Sequence, residues 1–303
     1  MSTFRAFKAL PIATSILLFT ALCARAESSF GMLESYYTLD AQLPLSLKTA
    51  EELATETGMV ADFSFDAFDN AEITARLEMS TDPQFTGKRP VVILLHGITQ
   101  SLEQWWREDQ GPYSFPAAHR KQLVENGFAV IAIDLRNHGA RIEPHDFPNP
   151  YTYLENGYYE AARKMISQSV LDVRRTIDVV AEFENLDSSR VAVVGFSLGA
   201  WTGYLSAAMD ERIDAAVIIG MPFLPAAKDQ TTSFISQFEY IEGLEEKPML
   251  LVAGTEDHFY KREVVDALQS KMSTNTDETW VDSGHDFPRS TATLTVNHLL
   301  SAF

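Results

Sequence analysis

Five short, unbroken apolar runs do most to restrict the fold of this chain: Val91–Leu95, Phe128–Ile133, Val191–Val194, Ala215–Ile219 and Met249–Ala253. A strand with one wet face alternates apolar and polar residues, whereas a strand that is apolar at every position is buried on both faces. Stretches with helical spacing separate most of the runs. The clearest spans roughly 160–184, where Ala162, Ile166, Val170, Val173, Ile177 and Val180 recur at three- and four-residue steps. Strands alternating with helices predict an α/β fold, a mostly parallel central sheet with helices on both faces. In such sheets ligands sit at the carboxyl ends of the strands, so chemistry is sought there.

Upstream of these runs the patterning differs. Val60–Phe68 alternates, with Phe63, Phe65 and Ala67 on one face, and so do Ile73, Ala75, Leu77 and Met79. They read as two antiparallel edge strands joined near Asp69-Asn70. The stretch 27–57 has weak periodicity and reads as a loosely structured lead-in. Two further segments, 136–159 and 221–246, leave the carboxyl ends of predicted strands without a clear pattern, and either could fold over the site as a cap insertion.

The sharpest chemical signal is Gly195-Phe196-Ser197-Leu198-Gly199, directly after the run Val191–Val194 and before a stretch rich in small residues. A turn straight from strand to helix strains its middle residue, and glycines on either side let the neighbouring backbone pack closely. Such a turn lifts the Ser197 hydroxyl over the sheet at a helix N-terminus, where developing negative charge is favoured. The alternative is a glycine-rich turn with Ser197 as a helix cap. A serine needs a base to become a nucleophile, and in this strand–turn–helix context the chain order is serine, acid, histidine. Only His258, His285 and His298 follow Ser197. His298 falls in a C-terminal helical pattern, and His258 adjoins the candidate acid too closely to be oriented by it, which leaves His285. Asp257 directly follows the run Met249–Ala253 and its Gly254 turn, the right place for the acid that holds the imidazole; Glu256 is its nearest rival. The oxyanion of acyl transfer needs backbone donors. The expected ones are the amides of Leu198, after the nucleophile, and Ile98, in the loop opened by His96-Gly97. His96 is expected to buttress that loop. The aromatics Trp105 and Trp106, with Tyr113, Phe115, Phe147, Tyr151, Tyr153, Tyr158 and Tyr159, are candidates for walls of a substrate pocket, with Trp105 and Trp106 foremost.

These pieces together resemble the α/β-hydrolase superfamily over the chain from about Arg89 to the C-terminus. The resemblance rests on Leu95-His96-Gly97, on Asp134-Leu135-Arg136-Asn137-His138-Gly139 (similar to a D-x-R-G-H-G turn), on Gly195–Gly199, on Gly254–Asp257 and on Gly284-His285. The helix before the elbow, with Asp172-Val173-Arg174 inside it, is similar to the branch of dienelactone hydrolases and acetyl xylan esterases. Asn137 departs from the usual glycine of its turn. The resemblance implies a serine hydrolase, a carboxylesterase acting on small to medium acyl esters through an acyl-enzyme, with no cofactor. A peptidase or amidase on the same scaffold and an idle binding protein are the alternatives; the three filled positions Ser197, Asp257 and His285 oppose the second.

Composition excludes other classes. Against 24 basic residues there are 42 acidic ones, a net charge of −18, which is unfavourable for nucleic acid and for anionic membrane surfaces. No H-E-x-x-H, paired-cysteine or phosphate-loop motif is present. His138, His145 and Asp146 lie near one another, but loop histidines are common and no metal site is expected. Arg5 and Lys8, then the apolar stretch Ala9–Leu22 and Ala24-Arg25-Ala26, read as a signal peptide over residues 1–26, with a single hydrolase domain over 27–303. Cleavage would leave Glu27 first and raise the net charge to −21, since Arg5, Lys8 and Arg25 go with the leader. An uncleaved anchor and lipidation of Cys23 are alternatives; bulky Leu22 before Cys23 disfavours the latter. The expected location is periplasmic or secreted, with no stable membrane association and a small-molecule ester as the partner.

Overall fold

The computed structural model describes residues 29–303 apart from 41, 56–57, 109–110, 112–114, 143–149 and 224–229. The leader, Cys23, Tyr113, His145, Asp146 and Phe147 therefore lie outside the described residues, as does the side chain of Tyr151. Among the described residues nine strands form one sheet: β1 (Lys48–Ala54), β2 (Met59–Asp66), β3 (Glu72–Met79), β4 (Arg89–Leu95), β5 (Ala129–Ile133), β6 (Leu186–Phe196), β7 (Ile213–Ile219), β8 (Met249–Gly254) and β9 (Thr276–Val281). The order across the sheet is β1-β2-β3-β5-β4-β6-β7-β8-β9. The first three pairings are antiparallel and the remaining five parallel, with Ile93 opposite both Ile131 and Val193 in the central ladders. The helices are α1 (Ser29–Tyr36), α2 (Phe115–Glu125), α3 (Pro150–Glu155), α4 (Tyr159–Val180), α5 (Leu198–Met209), α6 (Gln230–Ser233), α7 (Arg262–Gln269) and α8 (Thr291–Ala302).

The unbroken apolar runs account for two cores. Side chains alternate across a strand, so Val91, Ile93 and Leu95 enter one core with α4 and α5, while Val92 and Leu94 enter the other with Leu123 of α2 and Leu299 of α8. All five are fully buried. At roughly 25 cal/mol per Å² of apolar surface removed from water, such strands gain on both faces at once. Every residue of α5 is buried as well, which fits a helix apolar around its whole circumference.

The outer strands differ from the expectation. The hairpin of β2 and β3 turns at Asp69-Asn70 as predicted, with Asn70 at φ 61°. These are not edge strands, however: β3 pairs with β5, and β1 covers the outer side of β2. Residues 48–54 read Lys-Thr-Ala-Glu-Glu-Leu-Ala, with little intrinsic strand preference. They become a strand because β2 offers an unpaired edge, and their charges suit an outermost position. The lead-in is therefore structured, and it includes α1, whose Phe30 and Leu33 join the core beside α4.

Candidate active site

Ser197 occupies the single residue between β6 and α5, at φ 54° and ψ −115°. That conformation is costly for a residue with a Cβ, on the order of 1–3 kcal/mol. Packing enforces it: a Cβ on Gly195 would fall 2.2 Å from the Gly199 carbonyl oxygen, and one on Gly199 would fall 2.1 Å from that of Leu95. The elbow is tied down by Ser197 N–H donating to Ile219 O (2.9 Å) and Trp201 N–H donating to Ser197 O (3.0 Å).

The three residues named from the sequence meet above the sheet. His285 Nε2 lies 2.9 Å from Ser197 Oγ, and His285 Nδ1 lies 2.7 Å from Asp257 Oδ2. An ionised carboxylate only accepts, so the imidazole proton sits on Nδ1 and leaves Nε2 to accept from the serine hydroxyl. Asp257 Oδ1 also accepts Phe259 N–H at 3.0 Å. Burial pushes the Asp257 carboxyl up, but hydrogen bonds from His285 and Phe259, the histidine's charge and the Tyr260 hydroxyl outweigh it and hold the group below the ordinary carboxylate range. Tyr260 is itself placed by Gly254 N–H, which donates to its oxygen at 2.7 Å. Glu256, the rival acid, makes no such contact with His285; its N–H donates to Ser283 O at 2.9 Å.

On the opposite wall, Ile98 lines the cleft. Leu198 opens α5, where an amide has no acceptor within the helix. The loop after β4, which carries Ile98, is braced by its neighbours. Gly97 N–H donates to Gln104 Oε1 at 2.8 Å. His96 is fully buried between two loops, its Nδ1 2.8 Å from Gly97 O and its Nε2 3.1 Å from Leu135 N. Burial, aided by His138, pushes its pKa down to about 3, so it is a neutral strut that donates from Nδ1 and accepts at Nε2. The next turn is held by Asp134, which accepts Leu102 N–H and Ala140 N–H, each at 2.8 Å. Asn137 adopts φ 61° there, a left-handed conformation that asparagine tolerates better than most residues, which explains how it replaces a glycine. Arg136 and Arg141 both bind Asp172 of α4, each with a closest approach of 2.7 Å.

The cleft holds about 440 Å³ and is lined by Gln100, Gln104, Phe196, His258, Phe259, Gly284 and Asp286 together with Gly97, Ile98, Ser197 and His285. Trp105 and Trp106 are not among them, which corrects the expectation that they wall the pocket. Residues 102–106 form a 3₁₀ turn that packs down onto the sheet. Trp105 is wholly buried in the core beside α2, and Trp106 donates its indole N–H to Glu78 Oε2 at 2.7 Å. The physical reason is area and charge. A large ring gains most from full burial, and the buried Glu78–Arg120 pair (2.9 Å) needs further donors. Phe115 and Tyr153 are buried too, while Tyr158 and Tyr159 are exposed. His258 and Phe259 have only their place after Asp257 to mark them in the sequence. Gln104 has no sequence signal at all, since its role depends on where the 3₁₀ turn lands.

A larger concavity, about 990 Å³, lies over β2, β3 and α4. Its arginines, Arg136 and Arg141, are already paired with Asp69 and Asp172. Among the described residues no group of three or more metal-ligating side chains converges, and no helix is long and apolar enough to cross a membrane.

None of the curated proteins matches the chain in sequence. In structure it is similar to an acetyl xylan esterase from Paenibacillus sp. R4, at TM-score 0.67 and 17% identity over 90% of this chain and 92% of that one. A cold-adapted esterase from an Arctic intertidal metagenomic library gives TM-score 0.61 at 17% identity, over 84% and 98% of the two chains. A Klebsiella pneumoniae protein named as a dienelactone hydrolase gives 0.59 at 16%, over 85% and 98%. These likenesses are of fold. The model of the alpha/beta hydrolase family matches residues 92–299, which takes in the end of β4, every later strand and all of Ser197, Asp257 and His285. The chain thus belongs to the alpha/beta hydrolase family.

Proposed function

We propose that the protein is a carboxylesterase that hydrolyses esters of small to medium acyl groups through Ser197, His285 and Asp257. The observation that carries this reading is the continuous relay from Ser197 Oγ to His285 (2.9 Å) to Asp257 (2.7 Å), with a cleft open above the serine. Membership of the family and the esterase names of its structural relatives support it.

The chemistry follows from the geometry. Ser197 Oγ attacks the ester carbonyl carbon while His285 Nε2 takes its proton, and the carbonyl electron pair moves onto oxygen. The amides of Ile98 and Leu198 stabilise that oxyanion, and Asp257 stabilises the imidazolium. The intermediate collapses, the alcohol leaves with the proton from His285, and the acyl group stays on Ser197. Water, deprotonated by the same histidine, then releases the acid and restores the serine. No step requires a metal or an organic cofactor.

The cleft is compact, with Phe196 and Phe259 on its walls, which favours short acyl chains over long lipid chains. The test is a chain-length series of aryl esters with matched amides. Highest kcat/KM between acetyl and hexanoyl is expected. A maximum at long chains with activation at an oil–water interface would mean a lipase, and amides cleaved faster than esters would mean a peptidase. Loss of fluorophosphonate labelling in Ser197→Ala, but not in the wild type, identifies the nucleophile. We propose further that the chain is exported after removal of residues 1–26, to the periplasm or outside the cell. Intact mass of the exported protein beginning at Glu27 is the expected result, and a lipid on Cys23 would overturn it.

A further inference from the structure

The imidazole of His285 packs against two phenyl rings. Phe196, the last residue of β6, has its ring centroid 5.0 Å away at 36°, and Phe259 lies 4.4 Å away at 56°. Phe287 stands further off, at 6.4 Å and edge-on. Phe196 and Phe287 are buried, whereas Phe259 is 37% exposed. Phe259 is thus the more exposed of the two rings against the imidazole, and its own ring lies 4.2 Å from that of His258.

We infer that Phe259 is a positioning residue that stabilises the charged form of His285. This rests on the reading of His285 as the general base. A phenyl face attracts a cation within about 6 Å of its centroid. In turnover His285 becomes a cation when it takes the serine proton, so the attraction is stronger in the transition state and tetrahedral intermediate than with the neutral imidazole. Such an interaction raises kcat rather than tightening substrate binding. The other polar groups facing His285 are the Asp257 carboxylate on Nδ1, the Ser197 hydroxyl on Nε2, His258 with its ring at 6.4 Å, and Asp286 on the cleft wall. None of them presents a π-face against the imidazole at the range of the two phenyl rings.

The test compares Phe259→Leu, which keeps apolar cover but has no quadrupole, with Phe259→Tyr, which keeps the ring. A cation–π contact at a half-exposed site predicts a fall in kcat of about two- to fivefold for Phe259→Leu, with KM unchanged. The acid limb of the kcat/KM profile should move to lower pH by about half a unit. Phe259→Tyr should restore both. An unchanged kcat and acid limb in Phe259→Leu overturns the inference, as does a rise in KM alone, which would make Phe259 a substrate wall. A readout independent of turnover is the titration midpoint of the His285 imidazole, followed by NMR in Ser197→Ala with and without Phe259→Leu. A lower midpoint in the double variant is expected, and equal midpoints overturn the inference. The functional reading itself fails separately, if Ser197→Ala keeps its activity.

Discussion

At the scale of single residues, the site depends on positions where no other side chain fits. Ser197 holds φ 54° because Gly195 and Gly199 let β4, β6 and α5 approach to backbone contact. Ser197→Ala keeps that geometry and removes only the hydroxyl proposed as the nucleophile. Its kcat should fall on the order of 10⁴- to 10⁶-fold with a thermal midpoint close to that of the wild type; wild-type turnover would refute the assignment. Gly199→Ala should do the reverse, damaging the fold first. Its methyl would meet the Leu95 carbonyl at 2.1 Å, contact with backbone that cannot swing aside. A loss of about 3 kcal/mol in denaturant unfolding is expected. An unshifted midpoint would show that the elbow has room for a methyl at this position.

Elements act on the site through their ends. The loop after β4 offers Ile98 to the cleft only because the 3₁₀ turn at 102–106 folds back and gives Gln104 Oε1 to Gly97 N–H. Gln104→Leu leaves that amide buried and unpaired, which costs about 1–3 kcal/mol. A loop displaced by a fraction of an ångström misaims the oxyanion donor. The expected result is a ten- to hundredfold drop in kcat with little change in KM. A proportionate rise in KM with kcat intact would instead assign Gln104 to substrate binding. The same turn buries Trp105 and lays Trp106 against Glu78 and Arg120, so its aromatic residues stabilise the loop's foundation rather than line its mouth.

For the molecule as a whole, the buried histidines set an acid limit. Burial pushes His96 down to about 3 and His119 to about 4, and it lowers His138 as well. In the unfolded chain these groups take up protons near 6.5, where the folded protein refuses them. The unfolded state therefore binds more protons as pH falls below 6.5, and stability drops in the same direction. At pH 4 the loss is on the order of 3 kcal/mol each for His96 and His119. Denaturant midpoints measured from pH 7 to pH 4 should fall steadily, with a shallower slope in His119→Leu. Stability that stays flat to pH 4 would contradict the buried, neutral state of these rings. Activity should decline over the acid range too, since a general base must be unprotonated to accept the serine proton.

What the sequence by itself determined is whatever local periodicity and turn chemistry encode. Apolar runs marked the five central strands, a three- and four-residue repeat marked α4, and glycine spacing marked the elbow at Ser197. Strand ends then singled out Asp257 and His285, and the loop motif singled out His96 as a brace. Tertiary structure alone decided the rest. It brought together side chains 88 and 28 residues apart in the chain. It made β1 a strand from residues with little preference for one, because the edge of β2 was unpaired. It turned Trp105 into the core and Trp106 onto Glu78, and brought Phe259 to within 4.4 Å of the His285 ring. These outcomes depend on which surfaces meet across the sheet. A residue's neighbours along the chain carry no record of that, because burial and pairing are properties of the packed whole.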